Sequence, residues 1–286
     1  MRARLRNTII CFVCAVALTS SGLSQTPNVD TMLDQCFHSM YNLRFGDAFQ
    51  IVNQAKAVDK NDPMPWVAQG AAVLFRELDK LHILRSDLFV SDTAFSNRPT
   101  YNWDQDSKKE FEDALASAEK LAKDRLDHDK NDIRGLFALT LVNGLRANDA
   151  ALITKHNLTS LGFTKTSTGF AEKLLALSPN YYDAYIATGM GQYLIGSKAA
   201  PVRWILRLGG FKGDQEEGIK ELTLVADHGR YLAPFAQVLL AFNDLRHQNR
   251  TEARKRFAQL HDQFPANPLY QQEMAKCDRP PLPSGQ

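Results

Sequence analysis

Residues 234–265 read PFAQVLLAFNDLRHQNRTEARKRFAQLHDQFP, and this stretch decides the fold. Phe235, Val238, Leu239, Phe242 and Leu245 fall at helical spacing and form one apolar stripe. Pro234 suits the first helical position, where its missing N–H leaves nothing unsatisfied. Asn249 followed three residues later by Glu252 has the form of a capping box and opens a second helix. That helix carries Ala253, Phe257, Leu260 and Phe264 on one face and closes at Pro265. Two antiparallel helices joined by a tight turn are the unit of a helical repeat.

The unit resembles the tetratricopeptide repeat (TPR), with Ala241, Ala253, Phe257, Leu260 and Pro265 at that pattern's positions and Gln237 where the family places a large aromatic. The likeness continues upstream. Asp59-Lys60-Asn61-Asp62 recurs as Asp129-Lys130-Asn131-Asp132, each copy after one predicted helix and before an apolar one. Ser178-Pro179-Asn180-Tyr181 and Phe264-Pro265-Ala266-Asn267 stand at equivalent places, which the repeat family fills with a linker. Trp66 with Gly70, and Tyr185 with Gly189, pair a large aromatic with a small residue where neighbouring helices come close. The resemblance implies an all-α fold, a right-handed α-solenoid of about five TPR-like helix pairs over 28–58, 63–128, 133–177, 181–228 and 231–264. A capping helix over 267–277 covers the last pair, since stacked arrays need a polar outer face at their ends. The run 210–219 is also similar to bacterial tetratricopeptide proteins and to a eukaryotic tetratricopeptide family linked to the outer mitochondrial membrane.

Residues 1–24 have a separate character. Arg2, Arg4 and Arg6 precede an apolar run from Thr8 to Leu18, and Gly22 and Ser24 prepare a cleavage point before Gln25. This is the layout of a signal peptide, and an uncleaved N-terminal anchor is the alternative. It predicts an exported chain, with a periplasmic or cell-envelope location favoured, a domain over 25–277 and a disordered Pro-rich tail over 278–286. The net charge of +2 becomes slightly negative once the three leader arginines are set aside. A nucleic-acid partner thereby loses its electrostatic support. Cys11 and Cys14 lie in the leader, which leaves Cys36 and Cys277 near opposite ends of the mature chain. In an open stack those ends are far apart, and a disulfide needs Cα atoms within about 7 Å, so two free thiols are expected.

Three pairs are longer than the repeat, and the excess is placed at 81–105, 148–165 and 196–213, projecting from one edge. The first insert holds Phe89, Phe95, Tyr101 and Trp103; Asp106 is expected to restart a helix after it, and Asp214 with Glu217 after the third. The third alternates apolar Trp204, Ile205, Leu206, Leu208 and Phe211 with Arg203, Arg207 and Lys212. Such a segment can cover the concave surface, seat a partner or lie on a membrane with Trp at the interface. Arg203, Trp204, Arg207 and Phe211 are the candidate partner-binding residues.

Chemistry-bearing motifs are sparse. The run 127–132 lacks the glycine and the bidentate glutamate of a calcium loop. The histidines form no His-x-x-x-His pair and no cluster with cysteine, so no metal is expected. Gly189-Met190-Gly191 lies inside an apolar helix, and no Gly-x-Ser-x-Gly elbow occurs. Glu216, Glu217 and Glu221 read as a solvated face. The expectation is a non-catalytic exported scaffold, without cofactor, that binds a protein or peptide in a TPR-like groove. The alternatives are a peripheral membrane protein standing on residues 199–212, and an envelope enzyme or small-molecule binder with its site under the inserts.

Overall fold

The computed structural model describes residues 28–196 and 213–279, and the description below is confined to them. They form twelve α-helices and no strand. The helices are α1 (Val29–Tyr41), α2 (Phe45–Val58), α3 (Met64–Lys80), α4 (Asp92–Asn97), α5 (Gln105–His128), α6 (Ile133–Leu152), α7 (Asn157–Leu177), α8 (Tyr185–Gly196), α9 (Gln215–His228), α10 (Ala233–Arg246), α11 (Arg250–Gln263) and α12 (Pro268–Cys277). Packing follows chain order. α1 lies on α2, α3 on α5, α6 on α7, α8 on α9, α10 on α11, and α12 covers α11.

Side-chain caps set the helix starts. Asn28 accepts the Asp30 N–H, Asp104 that of Ser107, Asp214 those of Glu216 and Glu217, and Asn249 that of Glu252. The helix after the first insert is therefore capped by Asp104, two residues before the expected Asp106. The duplicated tetrapeptide performs one local task twice. Asp59 and Asp129 accept the N–H groups of Asn61 and Asn131, while Asp62 and Asp132 accept those of Met64 and Gly135 at the next helix start.

The turn that closes the first helix of a pair is repeated with greater fidelity than the sequence shows. After α1, Leu43 donates to Met40 O and Arg44 to Ser39 O; after α10, Gln248 donates to Leu245 O and Asn249 to Asp244 O. After α3, His82 donates to Asp79 O and Ile83 to Leu78 O. All three are the 5→2 and 6→1 bonds of a Schellman ending, with Leu43, His82 and Gln248 at φ 57°, 58° and 59°. Glycine is the usual occupant of that left-handed position, and here it is absent from all three. The first turn accordingly falls at 42–44, and α2 starts directly after it.

Small residues fix the spacing within pairs. A Cβ on Gly70 would lie 2.6 Å from Leu115 Cδ2 of α5, and one on Gly189 would lie 3.2 Å from Gly218 O of α9.

Three expectations are corrected. The second excess, 148–165, is not an insert: α6 and α7 run to Leu152 and from Asn157, so the extra length is helix. The first excess, placed at 81–105, ends at Asp104 and folds inward instead of projecting from an edge: Phe89 stacks on Phe242 of α10 with centroids 5.0 Å apart. Trp103 anchors its far end, stacking on Phe111 and donating to Asp149 at 2.7 Å. The stack is also not open. Asn42 Oδ1 accepts the Ala266 N–H, Asn267 donates to Tyr41 O, and Arg230 forks onto Asp34, so the first helix meets the last ones. Cys36 and Cys277 are buried and unbridged, although the first and last described helices approach each other. The third excess lies, apart from its ends, outside the described residues, as do the leader and the tail beyond Arg279.

Candidate functional site

Closure of the stack leaves an apolar cavity of about 360 Å³ that is partly open to solvent. The first helix of every packed pair contributes to its wall: Phe37 and Met40 from α1, Ala71 and Phe75 from α3, Leu141 from α6, Met190 from α8. α10 supplies the stripe read from the sequence, since Phe235, Val238, Leu239 and Phe242 all face the cavity. The core side of that helix is carried by Ala236, Leu240 and Ala241. A helix apolar on both sides, in this fold, serves a core and an interior surface at once. Phe89 and Phe95 of the inward insert close one side, and Tyr270 of α12 contributes from another.

The polar groups of the wall are mostly engaged with the protein itself. Thr140 donates to Leu136 O, Ser160 to Ala147 O, Thr164 to Ser160 O and Ser167 to Thr140 O, which turns each hydroxyl towards backbone. Glu273, 3% exposed, accepts from both the N–H and hydroxyl of Ser86 and pairs with Lys276 at 2.8 Å. Asp92 pairs with Arg246, which also donates to Phe89 O. A wall whose acceptors and donors are satisfied in this way favours apolar contents. Asn243 Oδ1 is an exception and has no partner.

Arg98 stands behind this wall. Pro99 forces it into an extended conformation that ends α4. Its guanidinium is turned inward, over the Phe95 ring at 3.9 Å, and donates to Phe95 O and Ala151 O. The residue is 4% exposed, and among the described residues its Nε has no partner and no carboxylate pairs with it. Burial pushes its pKa below the usual arginine value. Lys155, in the α6–α7 turn, donates to Arg98 O at 2.8 Å.

The partner-binding residues proposed from sequence, Arg203, Trp204, Arg207 and Phe211, lie outside the described residues, so the structure neither gathers nor separates them. Glu216 and Glu217 sit at the start of α9, and Glu221 is half-buried between α8 and α9, its carboxyl pushed up by burial. None of the three lines the cavity. Among the described residues, no three His, Cys, Asp or Glu side chains are grouped to hold a metal, and no helix is long and apolar enough to cross a membrane. Sequence reasoning noted the aromatics of the first insert but missed Arg98, which carries no motif; the available signal was a charged residue within an unusually aromatic loop.

Comparison with family models, curated proteins and solved structures gives no match to this chain.

Proposed function

We propose that the chain is a non-catalytic binding protein, a right-handed solenoid of about five TPR-like pairs, whose interior cavity holds a small, largely apolar ligand. The observation that carries this is the cavity itself. Its volume falls in the range of small-molecule sites, roughly 300–1,000 Å³, and its wall joins every first helix to the inward insert. Its carboxylates, Asp92 and Glu273, are held by Arg246 and by Ser86 with Lys276, so they support the wall rather than acid–base chemistry. The leader pattern supports an exported location, periplasm or envelope.

Titration with the neutral fluorophore N-phenyl-1-naphthylamine tests the reading. The expected result is saturable binding of one probe per chain, weakened about tenfold by Ala71→Leu, which adds volume inside the wall while the fold is kept. Absent or non-saturating binding overturns it.

A protein or peptide partner is the second reading. Leu158, 85% exposed at the start of α7, is the position from which it is tested. Crosslinking from position 158 that yields one discrete protein adduct supports that partner. A membrane foot would rest on residues 199–212, which lie outside the described residues.

A further inference from the structure

We propose that the cavity's ligand is an uncharged amphiphile with a hydroxyl at its polar end, and that Asn243 accepts the hydrogen bond of that hydroxyl; this rests on the apolar-cavity reading above. The absence of charge follows from the wall. Among the described residues, the charged side chains that line it are Asp92, Arg246 and Glu273. Arg246 donates to Asp92 and to Phe89 O, while Glu273 accepts from Ser86 and pairs with Lys276. Each ion already faces a counterion, so a charged head group would give up its hydration for little return. The hydroxyl follows from Asn243. This residue sits on α10 next to Phe242, lines the cavity, and carries a buried Oδ1 that has no donor among the described residues. The neighbouring wall hydroxyls do not supply one, because those of Thr140, Ser160, Thr164 and Ser167 donate to backbone carbonyls and that of Tyr41 to Tyr231 O. A buried acceptor without a donor is costly, and a ligand hydroxyl removes that cost without bringing a charge. The amide turns about a broad terminal torsion, which lets its oxygen meet a donor inside the cavity. Val238, Leu239 and Phe242 on the same helix then flank the apolar chain that carries the hydroxyl.

The probes are dodecanol, undecyl methyl ether, which matches it in heavy atoms but has no donor, and dodecanoate, which is ionised at neutral pH. Each is added as monomer to the full chain, and its affinity is read from displacement of N-phenyl-1-naphthylamine. The expected result is that dodecanol binds about tenfold tighter than the ether, the worth of one satisfied acceptor, and that dodecanoate binds no tighter than dodecanol. Asn243→Leu is expected to bring dodecanol down to the level of the ether, with continued ether binding showing that the cavity has kept its shape. Asn243→Ala removes the amide without adding bulk and is expected to do the same, which covers the case in which Asn243→Leu does not fold. Equal affinity of the wild type for alcohol and ether overturns the proposal and leaves the apolar cavity standing. A preference for the alcohol that persists in the Asn243 variants overturns it too, as does dodecanoate binding tightest of the three. If the fluorophore binds but yields to none of the three, this proposal alone falls. If the fluorophore itself does not bind, the cavity reading and this proposal fall together.

Discussion

The Tyr41 hydroxyl donates to the backbone carbonyl of Tyr231 at 2.9 Å, joining residues 190 positions apart. Around that bond Phe37 stacks on Tyr231 and Tyr41 packs against Phe264, with centroids 5.1 Å and 5.3 Å apart. The Tyr231 N–H is itself held by Asp183, whose carboxylate also accepts the N–H groups of Arg230 and Leu232 at the start of α10. This seam closes the helical stack on itself and makes an interior out of what would otherwise be a concave face.

Tyr41→Phe keeps the rings and deletes the bond, leaving the Tyr231 carbonyl without its donor. A loss of about 1 kcal/mol is expected, read from the urea midpoint at unchanged m-value. An unchanged midpoint would show that the aromatic contacts alone hold the seam.

Gln248 occupies a left-handed position at φ 59° on the surface. Replacing it by glycine removes a Cβ penalty of about 1–2 kcal/mol, partly offset by the freedom glycine gains when unfolded. Gln248→Gly is therefore expected to raise stability by about 0.5–1 kcal/mol. A thermal midpoint below that of the wild type would contradict the strain argument.

Gly218 and Gly162 are both helical and should respond oppositely to alanine. A Cβ at 218 would stand 2.6 Å from Tyr193 N and 2.8 Å from Gly189 O, backbone that cannot step aside unless α8 and α9 part. At 162 nothing lies within 4 Å. Gly218→Ala is expected to cost about 1–3 kcal/mol through overpacking, and Gly162→Ala to gain about 0.5–1 kcal/mol from helix propensity. Chemical denaturation of the two variants side by side decides it.

The Cys36 thiol is fully buried and donates to Ala48 O, and burial pushes its pKa from 9.0 up to about 12. The unfolded thiol ionises first as pH rises, so the unfolded chain binds fewer protons and stability falls from about pH 9 towards pH 12. Between pH 8.5 and 10 the wild type should lose about 1 kcal/mol more than Cys36→Ala. Comparing the two variants removes the tyrosines, which titrate in the same range. Parallel curves would show that Cys36 is not protonated preferentially in the fold.

The residues that were legible in sequence are those whose work is local. Asn249, Asp214 and the two Asp-Lys-Asn-Asp turns cap and separate helices through neighbours two or three positions away, and Gly70 and Gly189 mark close helix contacts by lacking a side chain. The Schellman endings at Leu43, His82 and Gln248 escaped because their marker, glycine, is missing and only the backbone records them. The apolar stripe of α10 was visible, but its destination was not.

From the sequence alone follow the all-helical fold and the packing of consecutive helices, since 3.6-residue periodicity and caps depend on residues within one or two turns. Closure of the stack, the inward path of residues 81–104 and the unmatched charge of Arg98 were decided by tertiary structure. Each depends on contacts such as Tyr41 with Tyr231, Phe89 with Phe242 and Arg98 with Ala151, whose partners lie from 53 to 190 positions apart in the chain. No local pattern encodes such pairs, because the free energy that favours them appears only when the intervening helices have already packed.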